Sequence, residues 1–135
     1  MPTPVLPDPV IAARTALLGQ TPLTDIVAQR IYWAIPSDPA PTYPLLVVSS
    51  VDDDALRPET LTARVQVDVW GAGRTVVDVN DCKAIARIIR SVARDLRGTW
   101  GGASISNSVA GQIIPNPDDT SGRARFIVDL LLEIN

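Results

Sequence analysis

The 135-residue chain has no histidine and one cysteine, Cys82. These two shortages exclude much chemistry. No disulfide can form within the chain, and no zinc cluster of cysteine and histidine can be assembled. A triad that works through histidine cannot be built. No apolar run is long enough to cross a bilayer. The N-terminus lacks a basic segment followed by an apolar core, so no secretory signal is expected, and the chain is expected to stay in a cytoplasm. Positive charge is also scarce. The formal net charge is −3, which argues against a general nucleic-acid binder while leaving a local basic surface open. Lys83 is the single lysine, so eleven of the twelve basic residues are arginine.

What is present describes a globular chain: 46% hydrophobic and 20% charged. The length suits one domain over 1–135 with a single core. Its organising stretch begins at Thr62. From there to Trp70 the residues alternate, with Ala63, Val65, Val67 and Val69 on one side and Arg64, Gln66 and Asp68 on the other. This period of two predicts a strand with one buried face. After the Gly71-Ala72-Gly73 break, Cys82, Ile85, Ile89, Val92 and Leu96 recur at steps of three and four, which predicts one apolar helix face over Val76 to Leu96. Laying that helix across the sheet buries both apolar surfaces.

In chain order, residues 1–8 carry three prolines and read as an extended arm. Asp8-Pro9 is a helix start, and the helix runs to about Leu18 with Val10, Ala13, Leu17 and Leu18 inward. Gly19 reads as its stop. Thr21-Pro22 opens a short helical turn bringing Leu23, Ile26 and Val27 inward. Gln29 to Ile35 reads as a first strand, Ser37 to Pro44 as a loop, and Leu45 to Val51 as a second strand. Asp52-Asp53-Asp54 through Glu59 reads as a polar loop joining it to the third. Thr75 and Asp78 form a box-like cap on the main helix, and Gly98 ends it. Thr99 to Gly102 reads as a turn, Ala103 to Ile113 as a fourth strand, Ile114 to Gly122 as a loop and Ala124 to Ile134 as the last strand. The prediction is α+β: a mostly antiparallel sheet of about five strands, a long helix packed on one face and a short N-terminal helix.

Five features bear on function. Gly71-Ala72-Gly73-Arg74 sits where a dinucleotide fingerprint would, but Val76 replaces the third glycine and no acidic partner follows at the right distance. It reads as a tight strand-to-helix turn. Asp52, Asp53, Asp54, Asp118 and Asp119 could attract a metal, yet they show no calcium ligand pattern. They read as solvated loops or as faces for a basic partner. Lys83, Arg87, Arg90, Arg94 and Arg97 recur at helical spacing and predict a basic stripe opposite the apolar face. That stripe is either solvated or a surface for phosphates or acidic loops of a neighbour, to which arginine's planar fork is suited. Cys82 reads as a small buried hydrophobe. Ile127 and Leu131 interrupt the polar side of the last strand, so that side is expected to be covered by another element or another subunit. No residue is assigned a catalytic, cofactor-binding or metal-binding role.

The order of these pieces resembles the tail terminator proteins of long-tailed bacteriophages, also called tail completion or head–tail joining proteins. The resemblance covers nearly the whole chain. It rests on the helix ending Leu17-Leu18, the Leu23-x-x-Ile26-Val27 segment leading to Gln29-Arg30-Ile31-Tyr32, and the loop closing on Tyr43-Pro44-Leu45-Leu46-Val47-Val48. It continues with the strand Arg64-Val65-Gln66-Val67-Asp68-Val69-Trp70, the helix ending Asp95-Leu96-Arg97-Gly98 and the strand introduced by Arg123-Ala124-Arg125-Phe126. No single motif in it is sharp; order, spacing and character carry it. The resemblance implies a non-enzymatic virion protein without cofactors. Six-fold rings of such subunits cap the head-proximal end of the tail tube, stop its polymerisation and meet the head connector. The implied partners are further copies of the chain, the major tail tube protein, the head-completion or stopper protein, and genomic DNA passing through the lumen, with no membrane. The implied place is the head–tail junction of the virion, assembled in the host cytoplasm. Alternatives are a stopper or adaptor ring, or a small DNA- or ligand-binding domain.

Overall fold

The computed structural model describes residues 8–36, 41–57, 60–100 and 102–135. Of the arm expected over 1–8, residues 1–7 lie outside the described residues, as do 37–40 of the proline loop and 58–59 of the polar loop. Asp8 caps the first helix, α1 (Pro9–Leu18), accepting the Val10 N–H through Oδ1 at 2.8 Å. Its buried face is Ala12, Ala13, Ala16 and Leu17, with Val10 and Leu18 only half-buried. Small alanines let the helix axis approach the sheet closely, so this face is narrower and less greasy than its leucines suggest. The next turn is a full helix, α2 (Thr21–Val27), burying Leu23 and Val27 while Ile26 stays exposed.

The main strand and helix form as their patterns require. The strand, β3 (Thr60–Trp70), buries Ala63, Val65, Val67 and Val69. The helix, α3 (Val76–Val92), begins with a complete capping box: Asp78 N–H donates to Thr75 Oγ1 at 3.2 Å, and Thr75 N–H donates to Asp78 Oδ2 at 3.0 Å. Such caps hold a helix end by about 1 kcal/mol. Cys82, Ile85, Ala86, Ile89 and Val92 make its buried face, packed on the sheet. The last predicted turn tightens into a 3₁₀ helix over Ala93–Leu96, so the α-helix stops before Leu96.

Six strands form one mixed sheet in the order β1-β2-β3-β6-β5-β4. Its members besides β3 are β1 (Ile31–Tyr32), β2 (Leu45–Arg57), β4 (Gly98–Trp100), β5 (Ala103–Pro115) and β6 (Arg125–Ile134). All pairs are antiparallel except β1 with β2. The expected first strand shrinks to two residues because Arg30 and Ile31 spend their N–H groups on Val27 O and Gln29 O in a turn. Residues expected to turn at Thr99 instead form β4, where Gly98 has a left-handed φ of 139°.

Asp52, Asp53 and Asp54 correct the sequence reading most clearly. They do not lie in a loop. They continue β2, opposite Arg64, Ala63 and Thr62 of β3, after a bulge between Ser50 and Asp52. Aspartate is a poor strand former, but an eleven-residue partner strand supplies a full row of hydrogen bonds, and tertiary pairing outweighs local preference.

Candidate assembly surfaces

The helix side of the sheet is sealed. Val65, Val67, Val128, Leu130 and Leu132 are fully buried beneath α1 and α3. The basic stripe lies beyond that layer. Lys83, Arg87 and Arg90 sit on α3, Arg94 on the 3₁₀ turn and Arg97 past it in extended backbone. All five are exposed, and none forms a salt bridge among the described residues. The stripe is not one continuous α-helical line. A 3₁₀ helix has three residues per turn, so the final two cations are rotated from the expected heading. Arg97 folds back to donate from Nε to Arg94 O at 3.4 Å. At the other end Val76 and Val77 are 76% and 67% exposed, which helical spacing alone did not flag.

The acidic candidates are not brought together. Asp52–Asp54 lie level with Leu131 to Glu133, whereas Asp118 and Asp119 precede Arg125, at the Trp70 end of the sheet. Six residues of strand separate Trp70 from Arg64, or about 20 Å. Asp118 is also engaged locally. Its Oδ2 accepts Ser121 N–H at 2.8 Å and Ser121 O–H at 2.7 Å, and these bonds to Ser121 hold its carboxyl below the usual value. It shapes the 116–124 loop, whereas Asp119 is exposed. Among the described residues no three metal-ligating side chains gather.

Both glycines of the strand-to-helix turn are explained by packing. A β-carbon on Gly71 would lie 2.7 Å from Cys82 Sγ, and one on Gly73 would lie 2.7 Å from Asp78 Oδ2. Gly71 admits the buried thiol and Gly73 admits the capping carboxylate. The N-terminus of α3 is thereby occupied by its own cap. Burial, with Asp78 and Asp81 nearby, pushes the Cys82 thiol up to about 11, which suits a core residue and not a nucleophile.

The opposite face of the sheet shows what alternation could only hint at. Ile127 and Leu131 lie on it together with Val109 and Ile114 of β5, and Leu131 and Val109 remain 50% and 53% exposed. Among the described residues no helix covers this face. Arg64 Nη2 meets Asp129 Oδ2 at 3.1 Å beside a shallow hollow of about 410 Å³ lined by Val109, Gln112, Ile114 and Leu131. Farther along, Arg125 Nε stands 3.6 Å from Asp68 Oδ2, its guanidinium 5.0 Å from the Trp70 ring centroid, and Gln66 donates to Asp68 Oδ1 at 2.7 Å. This is a face of mixed charge with apolar islands, better fitted to a large partner surface than to a small ligand. Simple alternation sets Val109 on one face with Ile105, but Ile105 is buried and Val109 exposed, because a bulge between Ile105 and Asn107 reverses the faces and a second between Ala110 and Ile113 shifts Ile114.

No protein-family model matches the chain, and no curated protein matches it either. Its fold is shared with a chain of the virion of a native gene transfer agent particle. The TM-score is 0.66 at 13% identity, over 93% of this chain and 94% of that one. The likeness therefore runs through nearly the whole chain. No helix among the described residues is long and apolar enough to cross a membrane.

Proposed function

We propose that this chain is a structural subunit of a phage-like virion, and specifically a tail terminator. In this reading, copies of it close into a six-fold ring at the head-proximal end of the tail tube, end tube growth and join the tail to the head connector. The observation that carries the reading is the fold shared across almost the full length of both chains with a gene transfer agent virion component. The pairing of strand and helix that prompted the resemblance to tail terminators is supported by position, since β3 is central in the sheet and α3 packs across it.

The work of such a protein is geometry: closed heterologous contacts halt growth. It makes and breaks no covalent bond and takes no cofactor. Its partners are its own copies, the tail tube protein, the head-completion protein and the DNA that passes through the hole. The exposed cations of α3 and the sheet face that no helix covers among the described residues are the two surfaces offered to them.

The decisive experiment adds the purified protein to polymerising tail tube protein. Arrest of growth, with a ring seen on tube ends by negative stain, is the expected result. Unchanged tube lengths would defeat the terminator reading, and binding only to the connector side would reassign the chain as a stopper.

A further inference from the structure

Among the described residues the sheet has two open edges, and they match. The four long strands alternate in direction across it: β2 with β3, β3 with β6 and β6 with β5 are all antiparallel. An even number of alternating strands leaves β5 running opposite to β2. Rotating a copy about a ring axis preserves the axial sense of each strand. A β5 edge brought beside the next copy's β2 edge therefore meets it antiparallel, and the alternation continues unbroken.

The short outer strands point the same way. β1 covers β2 only at Leu46 and Val47, near the Trp70 end. β4 covers β5 only from Ala103 to Ile105, at the opposite end, level with Ile134. What remains open overlaps. Val48 is level with Ile113 through Val67 and Val128, and Asp54 is level with Asn107 through Thr62 and Glu133. An open row of N–H and C=O groups is a template for a further strand.

The residue chemistry selects between pairings. The open part of β5, Asn107 to Ile113, carries neither charge nor proline. The open part of β2 carries Asp52, Asp53 and Asp54. A two-fold β2-to-β2 contact centred on Asp53, the middle of that run, would set aspartate opposite aspartate, which is unfavourable. Against β5 the same aspartates stand level with Val109, Ser108 and Asn107, none of them charged.

We infer that β5 of one copy pairs antiparallel with β2 of the next, so that successive sheets join edge to edge and the aspartates of β2 bar the symmetric alternative. This deepens the ring reading and rests on it for closure, but the contact itself is testable without a ring.

The test uses the full chain in a Cys82→Ala background. Val109→Cys is combined in turn with Ser49→Cys, Asp52→Cys or Asp54→Cys, which scans the register along one sheet face. Cα atoms of opposed antiparallel residues lie about 4.5–5.5 Å apart, within reach of a disulfide. The expected result is that one pair yields a ladder of covalent oligomers under oxidation, read on a non-reducing gel after alkylation, while each single-cysteine chain stays uncrosslinked. No ladder with any pair would overturn the inference, and so would a dimer from Val109→Cys alone, which would mean β5-to-β5 pairing. Solution mass separates the two readings. A ring without a ladder overturns the edge contact alone, and a ladder that grows without a closed species upholds the edge contact and overturns the ring.

Discussion

The Arg123 guanidinium lies 4.0 Å from the centroid of the Tyr43 ring, and its Nη1 donates to Ala72 O at 2.8 Å and Gly71 O at 3.3 Å. One side chain thus ties the loop before β2, the turn before α3 and the loop before β6 at a single end of the sheet. Its planar fork holds both carbonyls while its face lies on the ring, a geometry that a compact ammonium group reproduces only in part.

Removing that tie should loosen this end without unfolding the core. Arg123→Ala is expected to lower stability by about 1–2 kcal/mol, combining a cation–π contact with hydrogen bonds to carbonyl oxygens. Arg123→Lys should recover only part of it. Urea unfolding midpoints of the three proteins test this, and equal midpoints would mean the tie contributes nothing.

The centre of the α3 interface should be far less forgiving. Ile89 is fully buried between helix and sheet. Ile89→Ala is expected to cost about 2–5 kcal/mol through lost apolar burial and the cavity left behind. A loss below about 1 kcal/mol by denaturant titration would show that the helix packs loosely.

Cys82 makes a prediction about pH. Its thiol is raised from 9.0 to about 11 in the folded chain. A raised value means the folded state holds its proton more tightly than the unfolded state does. The corresponding stability is therefore present below pH 9 and is lost as pH rises from 9 through 11. Cys82→Ala should remove that part of the alkaline decline. The native thiol should also resist a disulfide reagent at pH 8 and react once in guanidinium. Rapid labelling of the native chain would contradict its placement.

The basic stripe should matter for assembly and not for folding. Arg87 and Arg90 are exposed and without salt bridges among the described residues. Reversing both to glutamate is expected to shift stability by no more than about 0.5 kcal/mol. It should weaken self-association, and the wild-type association should fall with added salt. Light scattering across salt concentrations would reveal this; a double variant that assembles like wild type places the stripe away from the subunit seam.

By itself, the sequence determined the elements whose burial follows a strict period. Val65, Val67 and Val69 mark one side of β3, and Cys82, Ile85 and Ile89 mark one side of α3, because one-sided burial leaves that trace in the spacing of apolar residues. The Thr75–Asp78 cap was legible for a similar reason, since it is satisfied within four residues. The α+β class and the largely antiparallel sheet followed from the order of these elements. Tertiary structure decided the rest. Asp52 to Asp54 became strand only because β3 lay alongside to pair with them, and Gly98–Trp100 became a strand only because β5 offered an edge. The apolar patch on the face that no described helix covers could not be read from any one segment, since Val109 joins Leu131 and Ile114 joins Ile127 through strand pairing beside two bulges. Local patterns record which side of an element is buried. They do not record which distant strand supplies the hydrogen bonds, or which edges the finished sheet leaves open.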